Sequence, residues 1–153
     1  MSAEGLGLKE IEVGDLSFIV ELGNKTEELW LDGETKFPFD EGELEKWIGW
    51  EDKFGLVLIV DDKKIGFVLV SIDRTMAEIV AFAIKEEWRG KGYGKAAMKK
   101  VLDDIEEKGA DAQMVHVGAE NEKAIDFYSD LGFKEGERVV SMFRGLGGEV
   151  EGC

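Results

Sequence analysis

Three glycines at alternate positions, Gly90, Gly92 and Gly94, are interleaved with cations in the run Glu87-Trp88-Arg89-Gly90-Lys91-Gly92-Tyr93-Gly94-Lys95-Ala96. Backbone without Cβ atoms can approach a ligand closely. The run opens an amphipathic helix, whose first amides are unpaired and whose dipole is positive at that end. Arg89, Lys91 and Lys95 add charge of the same sign. This combination suits a diphosphate, although a glycine-rich surface turn would have the same composition. Two common phosphate loops are excluded by spacing. A P-loop needs glycine at position 89 and a hydroxyl at 96, where Arg89 and Ala96 stand. A dinucleotide fingerprint needs glycine at 95, where Lys95 stands.

Proton chemistry has its own candidates. Glu78 is the one charge in the apolar segment Met76 to Ile84. A carboxylate on a buried strand is costly to ionise, so its pKa should rise toward that of a general base. At an exposed strand start it would instead pair with Arg74 or with water. Tyr128 lies on the apolar side of a predicted helix, where a core tyrosine is the plain reading. His116, the single histidine, sits in an apolar strand with no second histidine or cysteine near it, which leaves no metal ligand set. A packed or half-exposed strand histidine is the plainer expectation there, rather than a catalytic one. Cys153 is the last residue, with no base positioned beside it.

A second pattern follows the glycine run: Asn121, Ala124, Phe127, Tyr128, then Gly132-Phe133. With Arg89-x-x-Gly92-x-Gly94 before it, the chain resembles the GNAT superfamily of acetyl-CoA-dependent N-acetyltransferases over roughly residues 6 to 144. The resemblance implies the GNAT fold and acetyl transfer to a primary amine by direct attack, with acetyl-CoA as co-substrate and no metal. It implies that the backbone of Phe82, Ala83 and Ile84 pairs with the pantetheine arm. The loop Arg89, Gly90, Lys91, Gly92, Tyr93, Gly94 and Lys95 would hold the diphosphate, and Asn121, Ala124 and Phe127 would flank the arm. Glu78 is then the base and Tyr128 the acid that protonates the leaving thiolate. The region between the first two strands would build the acceptor wall, with Trp30 and Trp50 as its rings; Trp47, at helical spacing from Leu44, fits core better. The same fold also admits a non-catalytic acyl-CoA sensor or transfer of a longer acyl chain.

The elements that must position these residues can be read from periodicity. Strands are expected at Leu6–Val13, Leu56–Val60, Ile65–Ile72, Met76–Ile84, Met114–Val117, Phe133–Glu135 and Arg138–Arg144. Helices are expected at Asp15–Leu22, from an Asp40 cap to about Trp50, Gly94 to about Lys108, and Asn121–Leu131. The order gives an α/β fold, a central mixed sheet with helices on both faces. Its 153 residues suggest a single domain over 1–145 and a disordered, Gly/Glu-rich tail over 146–153. A hydrophobic content of 44% and charged content of 35% suit a globular protein, and a cytoplasmic setting is expected from the single cysteine. No apolar run has the length of a membrane span. A net charge of -15, from 34 acidic and 19 basic residues, argues against nucleic acid and suits a cationic amine acceptor. Asp32, Glu34, Asp40, Glu41 and Glu43 would border the acceptor wall. A homodimer stays open.

Overall fold

The computed structural model describes residues 4–26, 39–142 and 144. Five strands form one sheet in chain order: β1 (Gly7–Glu10), β2 (Lys53–Val60), β3 (Lys63–Asp73), β4 (Met76–Ile84) and β5 (Ala112–Val115). The first three pairings are antiparallel, and β4–β5 is parallel because α3 (Tyr93–Glu107) crosses between them. Helices α1 (Leu16–Asn24) and α2 (Glu41–Ile48) pack on one face, whereas α3 and α4 (Glu122–Asp130) pack on the other. The first face buries Ile19 and Leu44 against Val57, Phe67 and Leu69. The second buries Met98, Val101 and Ile105 against Val68, Val70 and Ile79. Burying one of these aliphatic side chains contributes about 1.5–3 kcal/mol, so the two helix layers hold the sheet from both sides. No helix among the described residues is long and apolar enough to cross a membrane.

One irregularity decides how the site is presented. The β3–β4 register passes from Val70↔Ile79 to Leu69↔Ala81, leaving Val80 as an extra residue. A bulge of one residue exchanges the faces of everything beyond it. Accordingly Ala77 and Ile79 face α3 and α4, but Ala81 and Ala83 face α1 and α2. Pairing of β4 with β5 ends at Ile79↔Val115, so β4 runs on from Val80 to Ile84 without its parallel neighbour.

The strands expected at Phe133–Glu135 and Arg138–Arg144 do not form. Described residues 133–142 carry no regular structure, and Val139, Val140 and Met142 stay 71–88% exposed. Strand propensity is realised only against a partner that buries the same face, and these side chains have none among the described residues. Smaller differences are shifts of boundary: β2 starts at Lys53 rather than Leu56, and β5 is Ala112–Val115 rather than Met114–Val117. The expected tail, 146–153, lies outside the described residues.

Asp15 ties the first elements together. Its carboxylate, 3% exposed, meets Lys9 of β1 and Lys64 of β3, the latter at 2.6 Å, and accepts from the Glu12 amide at 2.9 Å. Burial alone would raise its pKa. The hydrogen bonds from Lys64, Lys9 and the Glu12 backbone outweigh that and hold it at about 2, below the ordinary 3.8. Because the folded pKa lies below the unfolded one, the stabilisation is present above about pH 4 and is lost as pH falls toward 2. It amounts to about 2 kcal/mol. Asp15→Asn should therefore lower the stability measured by denaturant titration at neutral pH and flatten its decline with acid. An unchanged acid limb would show that the carboxylate is not the group responsible.

Candidate active site

The glycine run closes the path from β4 to α3. Gly92 is the N-cap of α3 with φ +88°, and Gly90 has φ +75°, both in the left-handed region that side chains with a Cβ rarely adopt. A Cβ on Gly94 would lie 3.1 Å from Ile84 Cδ1 and 3.5 Å from Phe82 Cζ, so α3 starts hard against the end of β4. Arg89 Nε donates to the Ile84 carbonyl at 2.8 Å and folds the loop back onto the strand.

Alternation along β4 determines which backbone groups stay open. Lys85 N–H donates to the Ile65 carbonyl at 2.8 Å, which makes Phe67↔Ala83 the next hydrogen-bonded pair. Ala83 therefore spends its amide and carbonyl on β3. Phe82 and Ile84 turn theirs toward the side that β5 has left, where Arg89 takes the Ile84 carbonyl. An extended ligand chain would meet the groups of Phe82 and the Ile84 amide rather than those of Ala83.

Across that opening stands α4. Asn121 caps it, its Oδ1 accepting from the Ala124 amide at 3.2 Å, which leaves the amide nitrogen for a ligand. Phe127 stacks on Phe82 with ring centroids 5.8 Å apart. Tyr128 is 9% exposed and packs edge-on against Phe127 and Phe133. Its hydroxyl has no hydrogen-bond partner among the described residues, and burial pushes its pKa up to about 12, so it stays protonated through the neutral range.

These parts enclose a cavity of about 490 Å³ lined by Phe82, Ala83, Ile84, Arg89, Gly90, Gly92, Gly94, Lys95, Asn121, Ala124, Phe127 and Tyr128. Thr26, Trp88 and Lys123 line it as well, though sequence reasoning missed them. Thr26 gives no local signal, since it enters from the far end of α1 with its hydroxyl bound to the Leu22 carbonyl. Lys91 and Tyr93 of the loop turn away from this cavity onto the Trp88 ring, at 5.5 and 5.8 Å. On that side Lys63, Lys64 and Lys85 join Lys91 around a second cavity of about 670 Å³. Glu87 lines it too, 3.7 Å from Lys85, and Lys64 is paired with Asp15, so part of this positive charge is countered.

Glu78 does not line the cavity. It stands before the bulge on the α1/α2 face, 36% exposed, with Oε2 3.2 Å from Nδ1 of His116. The burial expected of it is thus missing, and its partner is His116 rather than Arg74. His116 is the more exposed of the pair, at 67%. Trp50 lies in the turn between α2 and β2, 59% exposed, with Lys53 Nζ 5.7 Å over its ring. Trp47 is core, against Phe39 at 5.6 Å. Trp30, Asp32 and Glu34 lie outside the described residues. Asp40 and Glu43 cap α2 reciprocally. Among the described residues no group of three or more His, Cys, Asp or Glu could hold a metal ion.

The model of the Acetyltransferase (GNAT) family matches residues 24–133. Among curated proteins, the chain is 34% identical over 107 residues to an uncharacterized N-acetyltransferase of Methanocaldococcus jannaschii, a match covering 65% of this chain and 47% of that protein. It is 27% identical over 85 residues to the [Ribosomal protein bS18]-alanine N-acetyltransferase of Salmonella typhimurium, covering 56% of this chain and 57% of that one. These matches thus span about half the length of the curated relatives. Among solved structures, spermidine N-acetyltransferase from Vibrio cholerae superposes with a TM-score of 0.75 at 27% identity, over 91% of this chain and 85% of that one.

Proposed function

Because the chain belongs to the acetyltransferase (GNAT) family, we propose that it is an acetyl-CoA-dependent N-acetyltransferase acting on a primary amine in a ternary complex. The observation that carries this reading is the single cavity shared by the glycine loop, the unpaired end of β4 and the Asn121–Tyr128 face of α4. The residues fit CoA: two left-handed glycines at a helix N-terminus for the diphosphate, open backbone groups of Phe82 and Ile84 for the pantetheine amides, and apolar walls at Ala124 and Phe127. Bound there, acetyl-CoA would supply a thioester-activated acetyl group. One C–N bond then forms as the C–S bond breaks, the amine losing a proton and the departing sulfur gaining one. Proton delivery falls to Tyr128, whose hydroxyl stays protonated at neutral pH. Proton removal falls to the Glu78 end of the site. Holding both reactants in register supplies much of the acceleration.

The acceptor is a cationic amine. The chain's negative charge raises the local concentration of cations, and the similar proteins include a [Ribosomal protein bS18]-alanine N-acetyltransferase and a spermidine N-acetyltransferase. The test is thiol release from acetyl-CoA against a panel of amines. Polyamines, basic peptides and aminoglycosides should exceed neutral amines in kcat/KM, and the advantage should shrink as salt shortens the screening length to about 10 Å at 0.1 M. Preference for neutral or anionic acceptors, or indifference to salt, removes the electrostatic selection. CoA binding with no thiol release for any amine would make the protein a sensor instead.

A further inference from the structure

The α1/α2 face of the sheet carries a polar row that ends in an ionisable pair. Lys53, Ser71 and Glu78 are register partners on β2, β3 and β4, and Lys53 Nζ donates to Ser71 Oγ at 2.8 Å. Glu78 is in register with Met114 of β5, and His116, two residues on, shares that face. Its Nδ1 lies 3.2 Å from Glu78 Oε2, across 38 residues of sequence. His116 is the first residue past Val115, where the last β4–β5 pair stands, so it sits on the rim of the opening between those strands. Its neighbours Val115 and Val117 face the other way, into the cluster that holds Tyr128.

Chemistry fixes what this pair offers. An ionised carboxylate only accepts hydrogen bonds, so Nδ1 carries the hydrogen and the lone pair is left on Nε2. Exposed ion pairs contribute little to stability, so folding gives no account of it. Resting on the acetyltransferase reading above, we infer that His116 Nε2 takes the proton of the acceptor ammonium, directly or across one water. Glu78 is then the positioning residue, which sets the tautomer and stabilises the imidazolium. The N–H bond breaks, its electron pair becomes the one that attacks the acyl carbon, and the proton on Nε2 returns to solvent after turnover. The other ionisable groups brought toward this rim are Lys53, countered by Asp52 at 2.8 Å, and Tyr128 on the α4 side. The carboxylate of Glu78 is the nearest charge to the ring.

The test exploits the single histidine, so that one substitution removes every imidazole from the protein. His116→Gln should lose about 10²–10³-fold in kcat, with CoA affinity and thermal midpoint unchanged. External imidazole should restore part of the activity of His116→Ala. Glu78→Gln should lose less, about 10-fold, and the loss should fall on kcat with the KM for the amine unchanged. A merely structural ion pair would not confine its loss to kcat in this way. A His116→Gln protein within about twofold of wild type between pH 6 and 9 overturns the inference. If Glu78→Gln is then inactive, the carboxylate is itself the base and the acetyltransferase reading stands. Wild-type protein that binds CoA but releases no thiol with any amine removes that reading, and the inference with it.

Discussion

Gly92→Val is expected to weaken CoA binding by at least 100-fold, about 2.7 kcal/mol, in a protein that still folds. Gly92 holds φ +88° at the N-cap of α3, where a β-branched residue is a steric outlier costing about 1–2 kcal/mol. The branched side chain would also stand among the loop amides proposed to receive the diphosphate. Strain and exclusion can be separated within the same helix. Gly109, just past the other end of α3, has φ +93° with no atom within 4 Å of the position a Cβ would take. Gly109→Val should therefore lose similar stability while keeping CoA affinity. Calorimetry on both variants, with circular dichroism as the check on folding, decides the matter. A folded Gly92→Val protein with wild-type affinity would remove the diphosphate from this loop, and equal losses at both glycines would mean that helix strain alone disturbs the site.

What the sequence discloses here depends on how local the physics is. The Met76–Ile84 strand is legible because its apolar run is bounded by a turn on one side and by the glycine loop on the other. The Asp40 and Asn121 caps are legible because a side chain that accepts from an amide three residues on is a local event. The Val80 bulge is not, because it exists only in the register with β3. It is the bulge that puts Glu78 and Ala81 on the same face despite their odd spacing, and no alternation pattern discloses it. His116 shows the same limit from the chemical side. A lone histidine in an apolar strand looks inert until a carboxylate 38 residues earlier is placed beside it. Residues 133–142 mark the opposite failure, since Val139, Val140 and Met142 have a strand's composition without the pairing that would make one. Composition alone put strands there, and the described residues depart from it.

Tyr128→Phe should separate a proton donor from a core aromatic with opposite signs in two measurements. The ring's edge-on contacts to Phe127, at 5.1 Å, and Phe133, at 5.5 Å, involve carbon atoms that phenylalanine keeps. The hydroxyl has no hydrogen-bond partner among the described residues, and a buried hydroxyl left unpaired costs about 1–3 kcal/mol. Removing it should leave the unfolding free energy unchanged or raise it. Turnover should respond the other way, falling by about 10²-fold or more as the leaving thiolate loses its proton source, with acetyl-CoA affinity held. The pH profile gives a further check with a fixed sign. Burial holds the phenol at about 12, so its protonated form persists far into the alkaline range. Wild-type kcat should accordingly show no loss attributable to this group below about pH 10. If Tyr128→Phe keeps wild-type turnover and loses stability, the hydroxyl is a satisfied core group and the proton must come from water. A lower stability together with lower turnover would mean that the hydroxyl anchors α4 and acts on the chemistry only through the position of that helix.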